Sequence, residues 1–567
     1  ISITRGSSKN SYYENGYTNG DKRATLTRGI SDGLRSVTTL NYNFNIGKNH
    51  TFSALLGNEI LKSDSESSQI SGRGYPDTFD YDTTMGLIHT ATTSLSANNN
   101  FSVPGRTASF FGRLSYTLND RYLFTGTFRA DGSSKFAPNN RWGYFPAGAF
   151  AWRLSEEPFM AVAKDWLSNL KVRLSYGTSG SDNINSNLWR ETWSSLSSSS
   201  NHTPINGELG SFYRPDGLLA NSDLKWETTK QTDIGIDLSV LGGRISLVAD
   251  YYYKKTVDLH YDKILPYYTG YSSQTQNIGS KSNKGWEFSL NTQNLVGDFK
   301  WSTSLNIALN REKVLDLGDD EYFYTNGSGG ALGAGFNETG IVKVGEPLGN
   351  FYGYVFDGIY QNEAEAKALG LTKDDVGSVK FKDLNGDNKI TTEDRTIIGN
   401  ANPDFIFGIG NDFSYKNFDL SFMFQGTYGN DVYNLLKVTF SELPSNSNNT
   451  GNAFAFVKDS WRGEGTSNTQ QAFNKGVGPS SSRFVEDGSY IRLKNLTFGY
   501  TLPKSVTSKW GISNLRFYLS GQNLFTITGY SGYDPEVSSR TGNYNLGFDG
   551  GSYPATRSYT FGLNLTL

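Results

Sequence analysis

Cysteine is absent from the 567 residues, and methionine (3) and histidine (4) are scarce. Without cysteine there is neither a disulfide framework nor a thiolate metal site. His50, His89, His202 and His260 are scattered, with no pair at metal-binding spacing. No apolar run approaches the ~18 residues of a transmembrane helix. Charge of one sign is missing as well. The 52 Lys and Arg against 55 Asp and Glu leave a net −3, which argues against a general nucleic-acid binder. Proline stands at 15, with no Pro-rich linker or charge block to mark a seam between domains. The chain opens on Ile1, without an initiator methionine or a signal peptide, so it reads as processed or partial.

Aromatics and glycine are abundant instead: 34 Tyr, 36 Phe, 10 Trp and 63 Gly. Rings with few helix formers favour strands, and glycine favours turns. The arrangement is more telling than the totals. Tyr559, Phe561, Leu563, Leu565 and Leu567 alternate with Thr560, Gly562, Asn564 and Thr566. Trp301, Leu305, Ile307 and Leu309 alternate with Ser302, Ser304, Asn306 and Asn310. Phe418, Leu420, Phe422 and Phe424 oppose Asp419, Ser421, Met423 and Gln425, and Trp286, Phe288 and Leu290 oppose Glu287, Ser289 and Asn291. Successive side chains of a strand point to opposite faces, so each segment has one apolar and one wet face. Ten residues tilted by ~45° rise about 23 Å, the height of an outer-membrane apolar band. No short sequence period appears, which counts against solenoids and propellers.

The connections form two sets. Short links fall at 47–50, 119–120, 241–243, 294–298 and 416–417, and long ones at 61–106, 179–227, 255–283, 312–402, 429–489 and 526–557. Links at 155–166 and 502–513 fall on the short side, and 131–141 on the long side. Counted back from Leu567, the two sets lie at alternating ends. Bacterial barrels have short periplasmic turns and long outer loops. The expected fold is therefore all-β, a transmembrane antiparallel β-barrel of about fifteen or sixteen strands with its long loops outside. Residues 1–5 are read as the end of a rising strand and 6–34 as mostly its outer loop.

Several segments carry a family resemblance. Residues 110–155 read FFGRLSYTLNDRYLFTGTFRADGSSKFAPNNRWGYFPAGAFAWRLS. Residues 345–361 read GEPLGNFYGYVFDGIYQ, and 379–434 run from VKFKDLNGDNKITTEDRTIIGNANPDF to FQGTYGNDVYN. The tail contains SYIRLKNLTFGYTLP, LRFYLSGQNLFTITGYSGYDPE and YPATRSYTFGLNLTL. In this order they resemble the SusC/RagA family of TonB-dependent outer-membrane transporters of Bacteroidota. The resemblance implies a barrel of twenty-two strands filled by an N-terminal plug, and coupling of that plug to TonB–ExbB–ExbD. It further implies a SusD-like surface lipoprotein as a hinged lid, a dimer of such pairs, and contact with outer-membrane lipids. Oligosaccharides or peptides would be the cargo. Plug, TonB box and the first strands are not recognised in this chain, which looks like the later barrel strands. Family barrels commonly end in an aromatic residue, whereas Leu567 stands last here. Two readings compete with active import: a SusC-like scaffold subunit of a larger outer-membrane complex, and a passive pore.

Within the 312–402 loop, Asp383, Asn385, Asp387 and Asp394 stand at positions 1, 3, 5 and 12 of a calcium-loop spacing, and Lys389 at position 7 would offer its carbonyl. A structural Ca2+ is the expectation, against an Asx-rich turn that needs no ion. Asn388 occupies the usual glycine position and is among the residues that best tolerate a left-handed backbone. A short helix is expected near 362–369, stopped by Gly370. No enzymatic constellation emerges. Trp189, Trp193, Phe212 and Tyr213 in one outer loop, with Tyr267, Tyr268 and Tyr271 in another, are candidates for ligand or lid contact, because rings with a polar edge stack on sugars and suit peptides. The competing reading is that they fold the loops over themselves or join an aromatic girdle.

Overall fold

β-Branched and aromatic side chains pack well on a pleated surface, and the alternating segments all fold as strands. The computed structural model describes residues 2–12, 22–76, 78–196, 212–215, 217–327, 334–442, 452–473, 475–537 and 544–567, with backbone only at 2–12, 194–196, 212–214 and 334. Seventeen strands make the wall among the described residues: β1 (Ser2–Tyr12), β2 (Lys22–Ile46), β3 (His50–Tyr75), β4 (Ser94–Phe101), β5 (Gly105–Leu118), β6 (Tyr122–Ser133), β7 (Trp142–Arg153), β8 (Leu167–Ser181), β9 (Glu227–Val240), β10 (Ile245–Val257), β11 (Ser280–Val296), β12 (Phe299–Asp316), β13 (Phe405–Tyr415), β14 (Phe418–Tyr428), β15 (Tyr490–Thr501), β16 (Asn514–Thr528) and β17 (Ser558–Thr566). No described helix is long and apolar enough to cross a membrane, which says nothing against crossing by strands.

The chain divides into two compact units: Ile1–Ala151 with Ser175–Gln231 and Thr256–Ile278, and Trp152–Leu174 with Thr232–Lys255 and Gly279–Leu567. In the first, β1 pairs with β2, and β2 pairs antiparallel with β3 from Lys22 opposite Tyr75 to Ile46 opposite His50. The inner half of β3 pairs with β5 and its outer half with β4, so β4 and β5 act as one interrupted strand. β5 pairs antiparallel with β6, from Thr107 opposite Ser133 to Leu118 opposite Tyr122. The turn between β5 and β6 places Asn119 and Asp120 both at φ 54°, the left-handed pair that a tight hairpin requires.

Two sequence expectations change here. Residues 6–34 and 61–106 were read as mostly loop, yet β1, β2, β3 and β4 run through them. The stretch SDSESSQ at 63–69 has no apolar row, so nothing in its pattern marks a strand. Pairing to β2 holds it extended beyond the apolar band, where both faces are wet. A small core of Ala24, Tyr75, Met85 and Ile88 closes the outer end.

In the second unit the antiparallel order runs β11, β12, β13, β14, β15, β16 and β17, each paired with the next. Connections at the inner ends are brief. Leu241, Gly242 and Gly243 all have positive φ, as does Lys416. The outer ends carry an extensive folded layer. Tyr322–Thr325, Gly340–Lys343, Asn350–Tyr354 and Arg395–Asn400 form a four-stranded sheet. Asp431–Asn434 pairs antiparallel with Val485–Asp487 and parallel with Phe548–Asp549. The helix expected near 362–369 is Glu363–Ala368. Asn362 caps it by accepting from the Glu365 N–H at 3.1 Å, and Gly370 follows at φ 72°.

Apolar residues lie on the outer wall face with aromatic rows near the inner turns. In the first unit Tyr42, Phe44, Phe52, Tyr116, Phe124 and Phe150 stack across neighbouring strands, with centroids 4.7 to 6.0 Å apart among them. In the second, Phe299 packs on Phe413 and Tyr415, and Phe418 on Phe498 and Tyr500. These rows are the girdle that marks a membrane–water boundary.

Candidate functional site

The wet face of the wall is built from the other half of each alternation. In the first unit Arg35 pairs with Glu59 at 2.7 Å, Glu59 with Arg129 at 3.3 Å, and Arg129 with Asp131 at 2.7 Å. In the second, Lys171 and Arg173 both reach Asp237, and Arg173 also reaches Asp250 at 2.7 Å. Arg35–Glu59 and Lys171/Arg173–Asp237 join neighbouring strands, Glu59–Arg129 and Arg173–Asp250 reach across an intervening strand, and Arg129–Asp131 lies within one strand. Such half-exposed pairs contribute little stability, ~0–1 kcal/mol each, so their main consequence is a hydrated, charged lining. In the second unit a mostly apolar concavity of about 540 Å³, with Phe288, Ile307 and Phe407 in its lining, also includes Asp250, Glu287, Asn306, Met423, Gln425 and Tyr490. Carboxylates, amides, a thioether and a phenol together suit an amphipathic solute.

The outer layer of the second unit has its own core. Phe336, Phe351, Tyr433, Leu435, Phe484 and Phe548 are buried together, drawn from three separate outer loops. Phe548 meets Phe351 edge-on at 4.9 Å and Tyr433 at 5.2 Å. Burial pushes the Tyr433 phenol above its ordinary value, and its hydroxyl is 3.0 Å from Ser480 Oγ. Burial likewise pushes Tyr360 up to about 12. Gly547 lies at φ 75°, where a Cβ would sit 2.6 Å from Ala401 and 2.8 Å from the Phe351 ring, so only glycine fits without a shift. Tyr530 donates to Asp549 at 2.6 Å, and Ser531 donates its N–H and hydroxyl to Glu486, both at 2.9 Å. Three loops are thereby one structure. The sequence offers no sign of it, because loop apolar residues follow no period.

The aromatic candidates fall into two groups. In the first unit the hairpin His260–Ile264/Ser273–Asn277 is stitched to the preceding long loop. Leu219 N–H donates to the Ser273 carbonyl at 2.9 Å, Ser272 N–H to Gly217 at 2.7 Å, and Tyr271 hydroxyl to Glu191 at 3.0 Å. Tyr271 thus ties two loops together. Tyr267 and Tyr268 stand at the hairpin tip, 99 % and 90 % exposed. Trp189 is half-buried with the Arg190 guanidinium over its ring, and Trp193 is exposed. Phe212 and Tyr213 begin a strand opposite Trp193–Leu196, and their side chains lie outside the described residues. Beneath these loops Phe136, Phe145, Leu224 and Trp226 form a core, with the Trp226 indole donating to the Arg141 carbonyl at 2.9 Å.

In the second unit Asp383, Asn385, Asp387 and Asp394 do share one loop. Asp383 accepts from the N–H of Gly386 at 2.6 Å and of Asn388 at 2.8 Å. Asn385 accepts from Asp387, and Asp387 from the N–H of Lys389. Asp394 is fully buried and accepts from Leu384 and Thr391, each at 2.8 Å. Burial alone would raise its pKa, but the N–H groups of Thr391, Leu384 and Asn385 outweigh that and hold it low. Asn388 adopts φ 60°, as its place in the loop demands. Among the described residues no three His, Cys, Asp or Glu side chains are grouped to hold a metal ion. The loop is closed by its own backbone donors.

Comparison with known proteins adds an independent line. Residues 2–524 match the family described as TonB dependent receptor-like, beta-barrel. The chain is 41% identical to TonB-dependent receptor P3 of Formosa agariphila, over 81% of this chain and 45% of that protein. It is 34% identical to TonB-dependent receptor SusC of Bacteroides thetaiotaomicron, over 81% of this chain and 43% of that protein. The chain spans about half the length of the curated relatives it matches. Among solved structures, the RagAB peptide transporter superposes with a TM-score of 0.79 at 22% identity, over 96% of this chain and 56% of that one. That likeness concerns the fold.

Proposed function

The chain belongs to the TonB-dependent receptor β-barrel family, and from that premise we propose that it forms the wall and outer loop layer of an energised importer of oligosaccharides or peptides. Barrels of this family lie in the outer membrane, with antiparallel strands, short periplasmic turns and long extracellular loops, and the described wall has that form. The observation that carries the proposal is the lining: charged rungs, with Asp250, Glu287 and Gln425 at the concavity, set polar side chains on one face of a wall whose other face is apolar. A passive pore would need such a lining as well. The resemblance to SusC/RagA proteins favours import driven through a plug by TonB–ExbB–ExbD.

In the same reading a SusD-like lipoprotein closes over the outer loops, and two such pairs associate. The exposed Tyr267 and Tyr268 and the ring of Trp193 supply contact area for the lid or its cargo. The test is deletion of the complete gene in its native bacterium, followed by growth on single oligosaccharides or on peptides as the limiting nutrient. Loss of growth on one class, restored by the gene but not by a variant of the full protein that cannot engage TonB, supports import. Unchanged growth on every nutrient, with loss of a co-purifying outer-membrane assembly, would favour the scaffold role instead.

Calcium at Asp383, Asn385, Asp387, Asp394 and the Lys389 carbonyl is a separate proposal, supported by the ligand spacing alone. Hydrogen exchange of residues 383–394 with and without chelator tests it. Identical protection in both would remove the ion.

A further inference from the structure

Most inner turns of the wall are two or three polar or glycine residues, such as Gly47-Lys48-Asn49 and Lys416-Asn417. Two links at that end differ, and both lie in the second unit. Residues 154–166 fold as the short turns Leu154–Glu156 and Pro158–Ala163, and residues 502–513 as Lys504–Thr507 and Ser508–Trp510. They are long enough to fold back on themselves, and they expose apolar side chains. Phe159 is 62 %, Val162 90 % and Trp166 53 % exposed on the first link, and Trp510 is 61 % exposed on the second, with Val506 also exposed. Glu157, by contrast, is turned inward and accepts the Trp152 indole N–H at 2.9 Å. The first link therefore holds a carboxylate inside and presents Phe and Val outside, the reverse of what water selects.

We propose that these two links are interfacial anchors, seated in the headgroup layer of the inner leaflet of the outer membrane. The occupant of their apolar faces is phospholipid, and the argument is continuity with the lipid-facing wall. Trp166 immediately precedes β8, whose Leu170, Val172 and Leu174 face away from the wet side, while Lys171 and Arg173 take the wet face to reach Asp237. Residues 502–513 follow the end of β15 at Thr501, next to Tyr500, which packs on Phe418 in the girdle. Trp and Phe with apolar neighbours, at the level where strands end, are the side chains that partition to that boundary. Lys504 and Lys509 on the second link are exposed, and in that seating they would meet lipid phosphates. On the first link Lys164 is offset by Glu156 and Asp165, so its attachment is apolar rather than electrostatic and insensitive to salt.

The test uses the complete protein in phosphatidylethanolamine/phosphatidylglycerol vesicles, in a background with no other cysteine. Single variants V162C and V506C are spin-labelled, with L40C as the lipid-facing reference and Y268C as the aqueous one. Val162 is so exposed that its replacement leaves the fold untouched. Collision rates with oxygen and with a water-soluble nickel chelate are read by power saturation. Oxygen accessibility near that of L40C, with nickel accessibility about fivefold or more below Y268C, is expected for an immersed turn. Nickel accessibility close to that of Y268C places the links in water and overturns the proposal. Low accessibility to both reagents means protein covers them, and overturns it too.

Discussion

Arg492, only 2 % exposed, holds Asp534 through a 2.5 Å ion pair that fastens the last outer loop to the wall strand β15. The same guanidinium donates to Thr526 at 2.8 Å and to Glu536 at 2.9 Å, and Asp534 also accepts from the N–H of Ala555 and Glu536. Each guanidinium nitrogen and each Asp534 oxygen has a partner, which is the condition for a buried pair to persist.

Removing Asp534 leaves the buried Arg492 with only the half-exposed Glu536 to offset its charge, and removing Arg492 leaves the Asp534 carboxylate without a cation. Asp534→Ala should destabilise the loop by about 3 kcal/mol, whereas Arg492→Met combined with Asp534→Leu should cost less than either change alone. Protease nicking between 529 and 557, followed with denaturant, reads this directly. A double variant as labile as the sum of its singles would show that the pair acts through something other than charge.

Acid should open the outer layer. Burial alone would raise Asp534, Glu486 and Asp394, but backbone or hydroxyl donors, with Arg492 and Lys437 at the first two, hold all three below the ordinary carboxylate range. A carboxylate depressed in the folded state contributes stability that is full above its unfolded pKa and lost as pH falls through its folded one. Asp431 works the other way, raised mainly by burial, and offsets part of the loss. Amide exchange in 383–394 and 529–537, taken relative to the intrinsic rate at each pH, should be flat from pH 7 to about 5 and rise steeply below about 4. A rise already present at pH 6, or none by pH 3, would contradict it.

The shared core should fail as a unit. Phe548→Ala removes a ring packed on Phe351 and Tyr433, a change that costs ~3–5 kcal/mol. Gly547→Val should be comparably damaging through its positive φ and the 2.6 Å approach to Ala401. In both, exchange should rise around Tyr433 and Phe484 as well as at the mutated loop. Loosening confined to 544–552 would mean that the three loops are independent.

Tyr267 and Tyr268 should separate binding from stability. Replacing both by Ala removes rings that touch almost nothing, so melting should be unchanged within ~0.5 kcal/mol while lid association or uptake weakens. Tyr271→Phe, which loses the bond to Glu191, should loosen the hairpin and raise amide exchange in 260–277. Normal uptake by the double variant would return these rings to a passive surface.

Period-two patterning determined the membrane-spanning part of most wall strands: which residues face lipid, which face water, and where the short turns lie, because membrane and lumen impose opposite solvents on alternate side chains. Local chemistry was equally legible at Asn388 and at the Asn362 cap, where the backbone demand sits within a few residues. Tertiary structure decided the rest. Phe351, Tyr433 and Phe548 lie in three loops with no shared period, and only the closed layer brings their rings within 6 Å of one another. The polar outer half of β3 is a strand because β2 holds it, which no residue in SDSESSQ could announce. Patterns written against a solvent can be read one residue at a time, whereas contacts between distant loops exist only once the chain has closed on itself.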